Sequence, residues 1–202
     1  METKERAKAS ALLKRLRETL GGETPTLGEV LAHLGDRAPG FLLLALAIPA
    51  VVPTPGVPAG MVFGTVLALV AVQMIVGRDR LEVPRWIGKR RVKRSTIHTV
   101  VEKATPMVER VERTLRTRYP ALTRSGILRP LGVFVLLMGV LIALPIPFGN
   151  TLPGLAVLVI ALGLIAKDGL AVLAGLGLGA VATGVSVALV AGTYWAVTAA
   201  PI

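Results

Sequence analysis

The chain contains no cysteine, which rules out disulfides, thiolate metal ligands and a cysteine nucleophile anywhere in its 202 residues. Aromatic residues are sparse: two Trp, two Tyr and four Phe are fewer than a soluble core of this size would use. Only two histidines occur, His33 and His98, both in polar flanks where solvation rather than catalysis is expected. Charge itself is missing over long stretches, since residues 38–77 carry none and residues 130–202 carry only Lys167 and Asp168. Apolar runs that long read as bilayer spans rather than as core helices. The sequence also offers no Gly-rich phosphate loop, no histidines at metal spacing and no carboxylate pair within an apolar segment. An enzyme active site and a metal centre are therefore unsupported, and no cofactor is expected. Ser186 stands among apolar residues with no base in reach, and is expected to bond its own helix backbone.

What is present is apolar surface and positive charge, segregated from each other. The hydrophobic share is 53% and the mean hydropathy +0.69, above the roughly 45 to 50% apolar share of soluble domains. The fold class implied is an all-α integral membrane protein. The formal net charge of +11 would point to nucleic acid in a soluble chain, but no recognition module or base-stacking aromatic series accompanies it, so nucleic acid is not an expected partner. The positive-inside rule accounts for the charge instead. Residues 78–129 hold fifteen Arg and Lys, from Arg78 to Arg129, against Asp79, Glu82, Glu102, Glu109 and Glu112. That imbalance places the segment on the cytoplasmic side, against anionic headgroups of the bilayer, each basic group near the surface contributing about 1 kcal/mol. Met1 to Gly40 mixes both charge signs and shows no apolar h-region, so the N-terminus is expected to stay in the cytoplasm.

Five regions follow. Residues 1–37 hold cytoplasmic amphipathic helices: Leu12, Leu13, Leu16 and Leu20 share one face up to Gly21-Gly22, and Thr26-Leu-Gly-Glu29 reads as a capping box for a short second helix. Residues 38–77 form a first membrane hairpin, apolar from Phe41 to Val52, broken by Pro53-Thr-Pro55-Gly56-Val-Pro58-Ala-Gly60, and apolar again to Val76. Residues 78–129 are the basic linker, in which Ile97, Val100, Val101, Ala104, Val108, Val111 and Leu115 make the apolar stripe of an interfacial amphipathic helix. Trp86 and Tyr119 suit the headgroup zone. Residues 130–166 repeat the hairpin plan, with the break at Pro145-Ile-Pro147-Phe-Gly149-Asn150-Thr-Leu-Pro153-Gly154. Residues 167–202 supply a Gly-rich C-terminal transmembrane helix.

Aligning Pro53-x-Pro55 with Pro145-x-Pro147 gives apolar arm, Pro-Gly break and apolar arm twice in the same order, an internal repeat. The linker is nowhere apolar for more than a few residues, so it does not cross the bilayer. The repeats are then parallel, related by a pseudo-two-fold axis along the membrane normal. Each Pro frees a backbone carbonyl, and polar backbone at membrane depth is tolerated only where it is buried in protein or faces water. If the hairpins are re-entrant, Pro53, Pro55, Gly56, Pro145, Pro147, Gly149 and Asn150 line a binding site for a polar solute. If the arms span the bilayer fully, the same residues are turns on the far side. Both readings stay open at this point.

The final apolar stretch, Leu170 to Ala200, would be roughly 46 Å long as one straight helix, longer than a bilayer core. It must tilt strongly or bend, with Gly175, Gly177 and Gly179 the expected place. Ala180, Gly184, Ala188, Gly192 and Ala196 recur at spacing four, and with Gly175 and Gly179 they offer small surfaces for close helix packing. Packing against the hairpins and a homodimer seam are the two alternatives.

Leu144-Pro-Ile-Pro-Phe-Gly-Asn-Thr-Leu-Pro153, followed by Leu162-Gly-Leu-Ile-Ala-Lys-Asp-Gly169, resembles the ExoD family of bacterial exopolysaccharide-synthesis membrane proteins. Thr26-Leu-Gly-Glu-Val-Leu31 and the first Pro-rich break are similar to that family too, so the resemblance covers nearly the whole chain. It implies a multi-pass protein of the bacterial inner membrane linked to exopolysaccharide production, and brings no catalytic residue or ligand with it. Two functions are compatible: a non-enzymatic accessory component working with polysaccharide-assembly proteins, or a small transporter or lipid-handling protein built around the hairpin breaks. The scarcity of polar groups beyond backbone and Asn150 favours the first.

Overall fold

Thr26 opens the first described helix through its capping box. The Thr26 hydroxyl oxygen accepts from the Glu29 N–H at 3.3 Å, and the Glu29 carboxylate accepts from the Thr26 N–H at 2.8 Å. This helix, α1 (Leu27–Leu34), stops at Gly35, whose φ of 54° belongs to the left-handed region glycine tolerates. One 3-10 turn, Gly35–Arg37, then leads into the apolar part of the chain. The structure is a computed structural model and describes residues 25–51, 59–76, 117–144 and 149–199, with 11, 15, 91, 102, 105–106, 108–110 and 113–115. The predicted apolar face of Leu12, Leu13, Leu16 and Leu20 and most of the linker stripe lie outside the described residues.

The remaining helices are α2 (Ala38–Val51), α3 (Ala59–Val76), α4 (Ser125–Ala143), α5 (Thr151–Ala166) and α6 (Gly169–Ala199); no strand occurs among the described residues. Four stretches, Gly28–Val51, Ala59–Val76, Gly126–Ala143 and Gly169–Gly192, are long and apolar enough to cross a membrane, whereas α5 is apolar but shorter. Large apolar side chains on the outside, among them Val62, Leu69, Val133, Val140 and Val181, are exposed. Such a belt is unfavourable in water and ordinary in lipid.

Lipid supplies no hydrophobic force to bring helices together, so close approach of backbones must do it. The glycines show where. A Cβ on Gly40 of α2 would lie 3.0 Å from the Ala161 carbonyl oxygen and 2.9 Å from Ile165 Cγ1 of α5. A Cβ on Gly132 of α4 would lie 3.0 Å from the Ala71 carbonyl oxygen and 3.1 Å from Ile75 Cγ1 of α3. The glycines are 92 residues apart, as Pro53 and Pro145 are, and each pair of partners is 90 apart. Gly64 lies against Ala143 and Gly154 against Val51, with the same two offsets. Burial follows the numbering as well: Leu43 and Val135, Leu67 and Val157, and Ala71 and Ala161 are all fully buried. The result is that α3 packs along α4 and α2 along α5 more extensively than the two arms of either hairpin pack on each other.

At the opposite end from the breaks, Asp168 starts α6, its Oδ1 accepting from the N–H groups of Leu170 at 3.0 Å and Ala171 at 3.4 Å. Lys167, with φ of 55°, ends α5 in the left-handed region. The linker returns to this corner, where the Gly169 N–H donates to the Arg118 carbonyl at 2.7 Å. Val108 of the linker is 1% exposed and sits in the same core as the apolar helices, so at this residue the linker docks on the bundle. Helix α6 continues unbroken through Gly175, Gly177 and Gly179.

Candidate functional site

The inner ends of the hairpin arms come together. Asn150 stands at the N-cap of α5, in αR conformation with φ −77° and ψ −22°, and its side chain makes no capping bond. Its backbone oxygen accepts from the Gly154 N–H at 3.0 Å, so the main chain enters the helix without needing the carboxamide. The carboxamide turns instead toward the first turn of α3. A Cβ on Gly60 would collide with Asn150 Nδ2, and would lie 2.9 Å from Asn150 Cγ and 3.0 Å from the Ile142 carbonyl oxygen of α4. Only glycine leaves room for the amide here. Asn150 Oδ1 is buried and has no hydrogen-bond partner among the described residues. An unsatisfied buried amide oxygen is unfavourable by about 1 to 3 kcal/mol, and invites a donor.

The surroundings limit what this place can do. Helices α3 and α5 both begin here and α2 and α4 both end here, so first N–H groups and last carbonyls gather at the same end of the bundle. No titratable side chain lies in residues 38–77 or 130–166, so the polar groups these segments bring to the site are backbone groups, hydroxyls and carboxamides that hydrogen-bond. Among the described residues no three His, Asp or Glu side chains gather at metal-binding distance.

Of the residues singled out by sequence, Gly149 is buried and Asn150 is partly buried at this convergence. Pro53, Pro55, Gly56, Pro145 and Pro147 lie outside the described residues. On α6, Gly175 is buried against Ile160 and Ala156 of α5, and Gly179 against Phe134 and Met138 of α4. The face continues through Ala182, 0% exposed, and Ser186, 3% exposed. Ala180, Gly184, Ala188 and Gly192 are exposed, and a Cβ on Gly184 or Gly192 would meet nothing within 4 Å. From Val187 onward every α6 side chain that is described is exposed, Tyr194 and Trp195 included.

Sequence reasoning missed Gly60 as the partner of Asn150, and Gly64 and Gly139, which face each other across α3 and α4. A Cβ on Gly64 would lie 2.8 Å from the Gly139 oxygen, and one on Gly139 would lie 3.0 Å from the Gly64 oxygen. Aligning the two breaks gives an offset of 92, which sets Gly60 against Leu152, so the 90-residue offset between Gly60 and Asn150 shows only in the packing.

Comparison with known proteins gives concordant results. The family described as "Exopolysaccharide synthesis, ExoD" matches residues 9–188. An uncharacterized protein of Synechocystis is 31% identical over 156 residues, 77% of this chain and 74% of the relative. Protein ExoD of Rhizobium meliloti is 33% identical over 165 residues, 78% of this chain and 67% of the relative. No solved structure matches. With a family match over most of its length and a relative of that name at 33% identity, the chain belongs to the ExoD family.

Proposed function

We propose that the protein acts in exopolysaccharide synthesis or export as a non-enzymatic accessory component of the bacterial inner membrane, and that its working centre is the meeting of the two hairpin breaks. The role rests on the family to which the chain belongs; the centre rests on one observation, the Asn150 carboxamide seated against Gly60 with its buried oxygen unpaired among the described residues. In this reading residues 38–77 and 130–166 are an internal repeat about a pseudo-two-fold axis. The recurrence of the Gly40 contacts at Gly132, and of the Gly64 contacts at Gly154, supports it. Gly60 and Asn150 are then equivalent positions, and equivalent positions in contact lie beside the axis.

The hairpins are re-entrant in this reading. The four arms have 14, 18, 19 and 16 residues, roughly 21 to 29 Å; α3 and α4 are just long enough for a core about 30 Å thick, whereas α2 and α5 by themselves fall short of it. Helix α6 has 31 residues and runs on, its exposed part from Val187 alone adding roughly 20 Å. With Tyr194 and Trp195 at the far interface, the breaks stay within the bilayer, and freed carbonyls there require the protein surroundings described above.

The second reading, a small transporter or lipid-handling protein, is favoured by the same unpaired Oδ1, which would accept from a hydroxyl or amide of a passing solute. Asn150→Leu tests the centre. Membrane insertion should persist, because leucine is apolar and the backbone bond to Gly154 is kept, while complementation of a strain lacking its own homologue and defective in exopolysaccharide should be lost. Full complementation by Asn150→Leu would reduce the breaks to turns.

A further inference from the structure

A second feature lies at the other end of the bundle. The described part of the linker runs beside α5 and α6 and leaves a cavity of about 300 Å³ between them, lined by Arg110, Thr114 and Leu115 on the linker side and by Val159, Leu162 and Ala171 on the bundle side. Its floor is hydrocarbon. Among the described lining residues the one that carries charge is Arg110, which is exposed, so that its stem lines the cavity and its guanidinium stands at the mouth; it has no ion-pair partner among the described residues. Thr114 is turned back on the helix, its hydroxyl donating to the Arg110 carbonyl at 3.2 Å, and so offers no free donor to the cavity. Among the described residues, apolar walls and the Arg110 guanidinium at the mouth therefore define the chemistry.

Depth fits the same chemistry. Val159 is seven residues, or roughly 10 Å, from Ala166 at the end of α5, and Leu162 about half that. The groove thus starts at the charged corner of Lys167 and Asp168 and descends about as far as the boundary between headgroups and acyl chains. Water would find no partners along such walls. A free aliphatic solute would leave Arg110 unused. An amphiphile with an anionic head satisfies both ends at once.

We infer that this groove is a site for one anionic phospholipid, its phosphate held by Arg110 and the upper part of an acyl chain lying against Leu115, Val159 and Leu162. The lipid would fill the space between linker and bundle and fasten the basic segment to the α5–α6 corner. This rests on the membrane reading but not on Asn150 or the hairpin breaks.

The test uses the full chain in phosphatidylcholine nanodiscs, then in detergent titrated with phosphatidylglycerol or phosphatidylcholine, with retained lipid counted by native mass spectrometry. Wild type should insert into the neutral nanodiscs and retain one phosphatidylglycerol with about fivefold preference over phosphatidylcholine, the factor one basic group near a headgroup provides. Arg110→Gln should abolish the preference while still holding either lipid. Val159→Trp, or Leu115→Trp on the other wall should the first not fold, should abolish retention of both. Arg124→Gln, exposed on the same basic segment but away from the groove, should keep the full preference. Equal retention of the two lipids by wild type, an unchanged preference in Arg110→Gln, or an equal loss in Arg124→Gln would overturn the site. Failure to insert into neutral nanodiscs would overturn the membrane reading together with it.

Discussion

Adding one methyl group to Gly64 should do far more harm than adding it to Gly154, although the two residues hold corresponding places at the start of α3 and α5. A Cβ on Gly64 would lie 2.6 Å from the Ala143 nitrogen and 2.8 Å from the Gly139 oxygen, both backbone atoms that cannot turn aside. Helices α3 and α4 would have to part by several tenths of an ångström along their whole contact. A gap of that size forfeits a quarter or more of each dispersion contact it opens. Overpacking of this kind costs about 3 kcal/mol at its upper end, and the helix propensity of alanine over glycine returns about 1 kcal/mol, leaving a loss of about 2 kcal/mol. At Gly154 the close atom is Val51 Cγ2 at 2.6 Å, the end of a side chain at the last turn of α2, while the Val51 backbone is at an ordinary 3.6 Å. A valine methyl can move, so Gly154→Ala should be neutral to within about 1 kcal/mol. Thermal unfolding in mild detergent reads the difference: about 2 kcal/mol corresponds to a Tm about 4 to 8 °C lower for a chain of this size. Gly126→Ala and Gly177→Ala, where a Cβ meets nothing within 4 Å, serve as references. Equal Tm values for Gly64→Ala and Gly154→Ala would refute the reasoning that backbone contact between α3 and α4 sets their separation.

Two further outcomes are expected. Cysteines placed at Asp36, Arg80 and Arg129 should resist an impermeant thiol reagent applied outside intact cells, because the basic flanks of both hairpins are retained on the cytoplasmic side; rapid labelling of Arg80→Cys would sink that topology. Gly175→Leu should lower folded yield, since α5 backbone and Ile160 occupy the space, whereas Gly184→Leu should leave folded yield and the Tm, to within about 2 °C, unchanged. A matching loss of folded yield for Gly184→Leu would show that this face is covered within the chain.

The apolar helices were legible because charge is absent from them and crowded between them, a pattern that needs no knowledge of packing. The capping box at Thr26 was legible because it is local: two residues three apart, Thr26 and Glu29, specify both bonds. The packing face of α6 was harder. Ala180, Gly184, Ala188 and Gly192 catch the eye by their even spacing, yet a strict step of four advances about 40° each time and winds around a helix of 3.6 residues per turn. Gly175, Gly179, Ala182 and Ser186 alternate steps of four and three, stay on one side, and are the residues that the structure buries. Gly60 was hidden for another reason. A glycine next to a proline-rich break reads as part of the break, and nothing in its own neighbourhood reveals that a carboxamide 90 residues away needs its missing side chain.

The pairing of Gly60 with Asn150 bears on why the two hairpins share one chain. Two separate copies of a single hairpin would set identical residues on either side of their diad: two asparagines would collide where one amide now fills the space, and two glycines would leave it empty of any polar group. Joining the copies through residues 78–129 lets one half keep the small residue and the other acquire the large one. On the repeat proposed above, a lopsided occupant can then sit on a nearly symmetric axis, and a directional ligand would have one orientation there rather than two of equal energy.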